Sequence, residues 1–129
     1  MPEPKTIILD TDFLVFCAEH KIDYVTELNR VCDFPFTIVV LDKTLHELES
    51  VAAKSAKNAI AVKLAKTILQ KKKLAILPTN KNKPADALIL QFVNEHFCVA
   101  TQDKKFKEKA RAKGACIITV RQKKYLIME

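Results

Sequence analysis

The sequence predicts a three-layer α/β domain in which helices cover both faces of a five-stranded, mainly parallel sheet. Three observations carry that prediction. Five short runs rich in β-branched and apolar residues alternate along the chain with longer stretches of helical periodicity. The short runs are continuously apolar, as strands buried on both faces require, and do not alternate with polar residues. The chain has 129 residues, 49% of them hydrophobic, which suits one domain with a genuine core.

Taken in order, the first strand is expected over residues 6–9, where an Ile-Ile-Leu run ends against Asp10. Short helices follow over 13–19 and 23–31. The second strand is expected over 36–41, followed by a short helix over 44–51. Residues 53–72 give the clearest helical pattern, with Ile60, Leu64 and Ile68 on one stripe beside Ala61 and Ala65. After a third strand over 74–77, a helix over 84–95 opens on Pro84, where the missing N–H costs nothing. The fourth strand is expected over 97–100. A helix over 103–113 then stops at Gly114, the chain's one glycine, in the position past a helix end that favours that residue. The fifth strand covers 115–120, and residues 121–129 are read as a basic C-terminal tail of a single domain spanning 1–129. The alternation implies right-handed crossovers.

Composition excludes several functions. The longest stretch without a charge is eight residues, against the roughly 20 apolar residues of a membrane span. The opening Met1-Pro-Glu-Pro-Lys lacks the basic and apolar regions of a signal peptide, so a cytoplasmic location is expected. A single glycine excludes the glycine-rich loops that cradle nucleotide phosphates. Four cysteines without a C-x-x-C pair argue against zinc, and their apolar surroundings predict reduced, buried thiols in place of disulfides. His20, His46 and His96 lack metal-binding spacing. Ser50 and Ser55 lie in a lysine-rich helical region, not on a nucleophile elbow.

The informative residues are acids at strand ends. Ligands of an open α/β sheet bind in the crevice beyond the carboxyl ends of its strands. Asp10 follows the first strand directly and Asp12 lies two further on. Glu47 falls early in the helix after the second strand, Asp86 opens the helix after the third, and Asp103 follows the fourth. Four successive junctions thus send carboxylates to one end of one sheet. They would repel unless hard divalent cations such as Mg²⁺ or Mn²⁺ neutralised them. Each acid also has a structural alternative. Asp10, Asp12 or Asp103 would serve as helix caps, and Thr44 with Glu47 matches a capping box. Asp86 shares a helix face with Ile89, Leu90 and Val93, where an unpaired charge is costly.

The basic residues are segregated too, within a formal net charge of +7. Nine lysines and no acid lie between Ser50 and Ala85. Nine more Lys or Arg lie between Lys104 and Lys124, against the single Glu108. An acidic centre inside a basic rim suits a polyanion held by its phosphates and cut by metal-activated water. A solvated, lysine-rich face is the alternative.

Four segments in order resemble the signature segments of PIN-domain ribonucleases: Ile7-Ile-Leu-Asp10-Thr11-Asp12-Phe-Leu, Leu45-His-Glu47-Leu-Glu49, Ala85-Asp86-Ala-Leu-Ile and Ala100-Thr101-Gln-Asp103-Lys104. The ending Val120-Arg121-Gln-Lys123-Lys124-Tyr125-Leu126 is similar to archaeal relatives of the PIN nucleases that process ribosomal RNA. The resemblance implies a metal-dependent endoribonuclease that cuts single-stranded RNA, precursor ribosomal RNA included. It assigns Asp10, Glu47, Asp86 and Asp103 as catalytic, metal-binding acids for one or two Mg²⁺ or Mn²⁺ ions, with Asp12, outside the family pattern, as a further candidate ligand. Thr11 and Thr101 become supporting residues, Thr101 orienting Asp103 or a water. Lys104, Lys105, Arg121, Lys123 and Lys124 become RNA contacts, and a homodimer is allowed. The family usually has Asn where this chain has Asp12, and the extra charge would tighten metal binding, change ion preference or raise a neighbour's pKa. The choice of Glu47 over Glu49 rests on the resemblance alone. A non-cleaving RNA-binding assembly factor and a toxin ribonuclease of a toxin–antitoxin pair are the competing functions.

Overall fold

A computed structural model describes residues 2–129. The chain runs β1 (Lys5–Leu9), α1 (Thr11–Glu19), α2 (Tyr24–Val31), β2 (Phe36–Leu41), α3 (Asp42–Ala52), α4 (Ala56–Lys71), β3 (Ala75–Leu77), α5 (Ala85–Leu90), β4 (Phe97–Ala100), α6 (Lys104–Ala112), β5 (Cys116–Arg121) and β6 (Tyr125–Met128). The sheet has six strands in the order β3-β2-β1-β4-β5-β6. All neighbours are parallel except β5 and β6, which pair antiparallel.

Alternate residues of each strand feed the two faces, as the pleat requires. Ile7, Leu9, Val40, Cys98 and Ala100 pack on one face, beneath Phe13 of α1, Leu28 of α2, Leu48 of α3 and Ala65 of α4. Ile8, Leu41, Val99 and Ile117 pack on the other, beneath Leu88 and Ile89 of α5 and Phe106 and Ala110 of α6. β1 lies in the middle: the chain first builds outward through β2 and β3, then crosses to β4 on the opposite side. That reversal opens a crevice beyond the carboxyl ends of β1 and β4.

Four expectations are corrected. The sheet has six strands, not five, because the expected basic tail folds back as β6. The turn of that hairpin holds Gln122 and Lys123 at φ 56° and 55°, with the Lys124 N–H donating to the Arg121 carbonyl. The helix expected over 53–72 is broken at Ser55, whose hydroxyl caps α4 by accepting from the Asn58 N–H. Its core face is Ala61, Val62, Ala65 and Leu69, while Ile60 is 71% exposed. Finally, Cys98 and Cys116 form a disulfide, because β4 and β5 pair in a register that sets them opposite one another with Cα atoms 4.5 Å apart. Cys17 is free and buried, and desolvation pushes its thiol up to about 12, so it stays protonated.

Candidate active site

Beyond the ends of β1 and β4 lies a cavity of about 390 Å³ lined by Asp10, Asp12, Glu47, Asp86 and Asp103. The four junctions singled out in the sequence therefore converge. Asp10 and Asp103 also cap α1 and α6, accepting from the backbone N–H groups of Thr11 and Phe106. Capping and lining the cavity coexist in these two residues. The capping-box reading of Thr44 and Glu47 fails. α3 begins at Asp42, so Thr44 is inside the helix, fully buried, with a hydroxyl that finds no partner among the described residues.

Two threonines set the acids. Thr101, fully buried at the end of β4, presents its hydroxyl to Asp10 Oδ2 at 2.9 Å and to Asp12 Oδ1 at 3.1 Å. The same Oγ1 accepts from the Asp103 N–H at 3.1 Å. One hydroxyl thereby fixes three acids. Thr11 donates to Glu47 Oε1 at 2.6 Å, and Glu47 Oε2 accepts from the Ala85 N–H at the start of α5 at 2.9 Å. Glu47 thus ties α1, α3 and α5 together. Glu49 lies elsewhere, exposed and paired with Lys66. Asp86 is half-buried, with Oδ1 on the Ala87 N–H.

The electrostatics are those of a site short of positive charge. No Lys or Arg stands within 4.0 Å of any of these five carboxylates among the described residues. Burial, followed by repulsion from Asp12, holds the Asp10 carboxyl well above its ordinary value, against the lowering pull of the Thr101 hydroxyl. Asp12 is raised by partial desolvation; because the residue as a whole is exposed at the cavity mouth, its push is the weaker. The Asp12 charge is thus felt by its neighbour.

The donor set is all carboxylate oxygen without a cationic partner, which is what hard divalent cations take. No three His, Cys, Asp or Glu side chains among the described residues close tightly around one point. The donor chemistry fits a hard divalent ion, around which the carboxylates would have to draw closer.

Sequence reasoning missed three participants. Glu19 also lines the cavity, and Asp12, Val15, Phe16 and Glu19 share one face of α1 at helical spacing, a readable signal. Gln102 clamps the loop after β4: its Oε1 accepts from the Thr119 hydroxyl at 2.7 Å and the Val120 N–H at 2.6 Å. Asp42 accepts from the Thr79 hydroxyl at 2.6 Å, anchoring the loop before α5. Of the predicted RNA contacts, Lys104 and Lys105 are exposed in the first turn of α6. Arg121, Lys123 and Lys124 are exposed around the β5–β6 turn, at the same end of the sheet as the acids. Phe106, set among these basic residues, is only 2% exposed and belongs to the core.

Comparison with known proteins identifies the family and the fold. The family model for the PIN like domain matches residues 7–123. The chain is 36% identical over 124 residues to ribonuclease VapC4 of Methanocaldococcus jannaschii, covering 92% of each. It is 36% identical over 112 residues to the rRNA-processing protein fcf1 of Schizosaccharomyces pombe, a match spanning 84% of this chain and 54% of that protein. Among solved structures, the PIN domain endonuclease Utp24 superposes with a TM-score of 0.76 at 28% identity, covering 96% of this chain and 90% of that one. With its acids on one sheet edge, its strand order and a match over nearly its whole length, this chain belongs to the PIN-domain nuclease family.

Proposed function

We propose that this protein is a metal-dependent endoribonuclease that cuts single-stranded RNA, with precursor ribosomal RNA as its substrate. The observation that carries the reading is the ring of carboxylates, drawn from four β-to-α junctions and left without a cationic partner. The likeness to fcf1 and Utp24 supports a role in ribosomal RNA, and the likeness to ribonuclease VapC4 supports cleavage.

Asp10, Glu47, Asp86 and Asp103 would hold Mg²⁺ or Mn²⁺, with Asp12 at the mouth. Bound there, the ion supplies Lewis acidity toward a water and toward the phosphodiester. The protein's own work is positional. Thr101 holds Asp10, Asp12 and Asp103 in a fixed relation, and Thr11 with the Ala85 N–H locks both oxygens of Glu47. Val15, Phe16 and Val51 supply an apolar wall that limits water around the reacting phosphate.

The test is Asp86→Asn, compared with the native chain on labelled single-stranded RNA in Mn²⁺ and in EDTA, beside thermal melts in both. The native chain should cut in Mn²⁺ and not in EDTA. Asp86→Asn should fold, melt in EDTA at or above the native temperature because repulsion is relieved, and cut nothing. A variant that melts markedly lower in EDTA yet cuts at the native rate makes Asp86 structural. Native protein that binds RNA in Mn²⁺ without cutting it is a binding factor instead.

A further inference from the structure

Asp86 and Asp103 line a second cavity as well, one of about 220 Å³ between α5 and α6. Its remaining walls differ from those of the acidic cavity beside it. Ala87 and Leu90 of α5, with the nearly buried Phe106 of α6, give an apolar surface, and Lys105 and Lys109 of α6 give two cations. These lysines stand four residues apart, on one face of the helix, where like charges repel. Neither has a carboxylate partner among the described residues, although Lys107 and Arg111 on the adjoining face both engage Glu129. An apolar surface beside two cations outside any ion pair, with Asp86 and Asp103 on the side of the acid ring, is complementary to a base attached to a phosphate.

We propose that this cavity is the subsite for the nucleotide next to the bond that is cut. The inference rests on the ribonuclease reading above and extends it. A phosphodiester drawn to the acid ring places its neighbouring nucleotide across Asp86 and Asp103. There the base lies against Ala87 and Leu90, and its phosphate bridges Lys105 and Lys109. The cavity has room for one unpaired base and none for a duplex, so the device selects single strands. Lys104, exposed but outside the cavity, contributes less than Lys109.

The experiment measures binding of a labelled single-stranded RNA by fluorescence anisotropy across a salt series in EDTA, so that cleavage plays no part. The full chain is compared with Lys105→Ala/Lys109→Ala, with Ala87→Leu, and with Lys5→Gln/Lys21→Asn, outside both basic runs and at the opposite end of the sheet, as a charge-matched control. The first pair should make the log–log salt slope shallower by about 0.7 for each lost phosphate contact, and the control should not. Ala87→Leu fills the base position and should weaken binding with the slope unchanged. Equal slopes for the two lysine pairs, or native affinity in Ala87→Leu, overturns the subsite. Cleavage in Mn²⁺ is scored separately. Native cleavage with unchanged slopes removes the subsite and leaves the nuclease reading, whereas the expected slopes without cleavage keep the subsite as an RNA contact and remove that reading.

Discussion

Thr101 does more for the site than any other single side chain. Its hydroxyl is fully buried and touches Asp10, Asp12 and the Asp103 backbone at once. Thr101→Val keeps the branched shape and removes those bonds. The Asp103 N–H, in an exposed residue, then turns to water, so that bond's loss is the roughly 0.5–1.5 kcal/mol of an ordinary hydrogen bond, and Asp10 loses a contact that favours its ionised form. Lower stability in a urea titration and weaker Mn²⁺ binding by calorimetry are expected together; native values for both would reduce Thr101 to packing. Asp10 and Asp103 were legible from where strands end and Asp86 from the helix it opens, whereas Glu47 was told from Glu49 by the resemblance alone. The threonine's reach to Asp10 and Asp12 was not legible, since it depends on β1 and β4 lying side by side, which local pattern does not reveal.

At the scale of elements, the loop between β3 and α5 is held by Asp42. The Thr79 hydroxyl first, and its N–H as well, hold the Asp42 carboxyl below its ordinary value. A depressed carboxyl stabilises fully above its unfolded pKa, near about pH 4. That contribution disappears as pH falls through the lower folded value. Melting temperature should therefore fall more steeply for the native chain than for Asp42→Asn as pH is lowered through this range. Parallel curves would show that the clamp carries no linked protons. Most elements were legible from apolar runs and helical spacing. β6 was not, because tight hairpins usually announce themselves by Asn-Gly or Asp-Gly, and here Gln122 and Lys123 adopt the left-handed conformation without either residue. The buried face of α4 was misread for a related reason. Large aliphatics drew the stripe toward Ile60 and Leu64, but alanines let the helix approach α1 and α3 closely, leaving the larger side chains at the rim.

At the scale of the molecule, the Cys98–Cys116 bond closes α6, with Asp103 and both cavity lysines, into a covalent loop spanning 18 positions. Chain-entropy arguments give a closed loop of about that size roughly 3 kcal/mol of stabilisation. Dithiothreitol should lower the melting temperature of the native chain and leave a Cys98→Ala/Cys116→Ala variant where it is. An equal shift in both would assign the effect to the reagent. The sequence spacing concealed this bond because only the register of two strands makes the sulfurs neighbours.

The central place of β1 has a consequence in time. Asp10 and Thr101 are separated by 91 positions, and β4 leaves the ribosome long after β1, β2 and their helices. Until β4 docks against β1, Asp103 is not in place and no hydroxyl orders Asp10 and Asp12. Such long-range pairing is also the slow kind. The acid-lined cavity is therefore a late feature of the chain: its first carboxylates are made early, but their arrangement waits until β4 has emerged and docked.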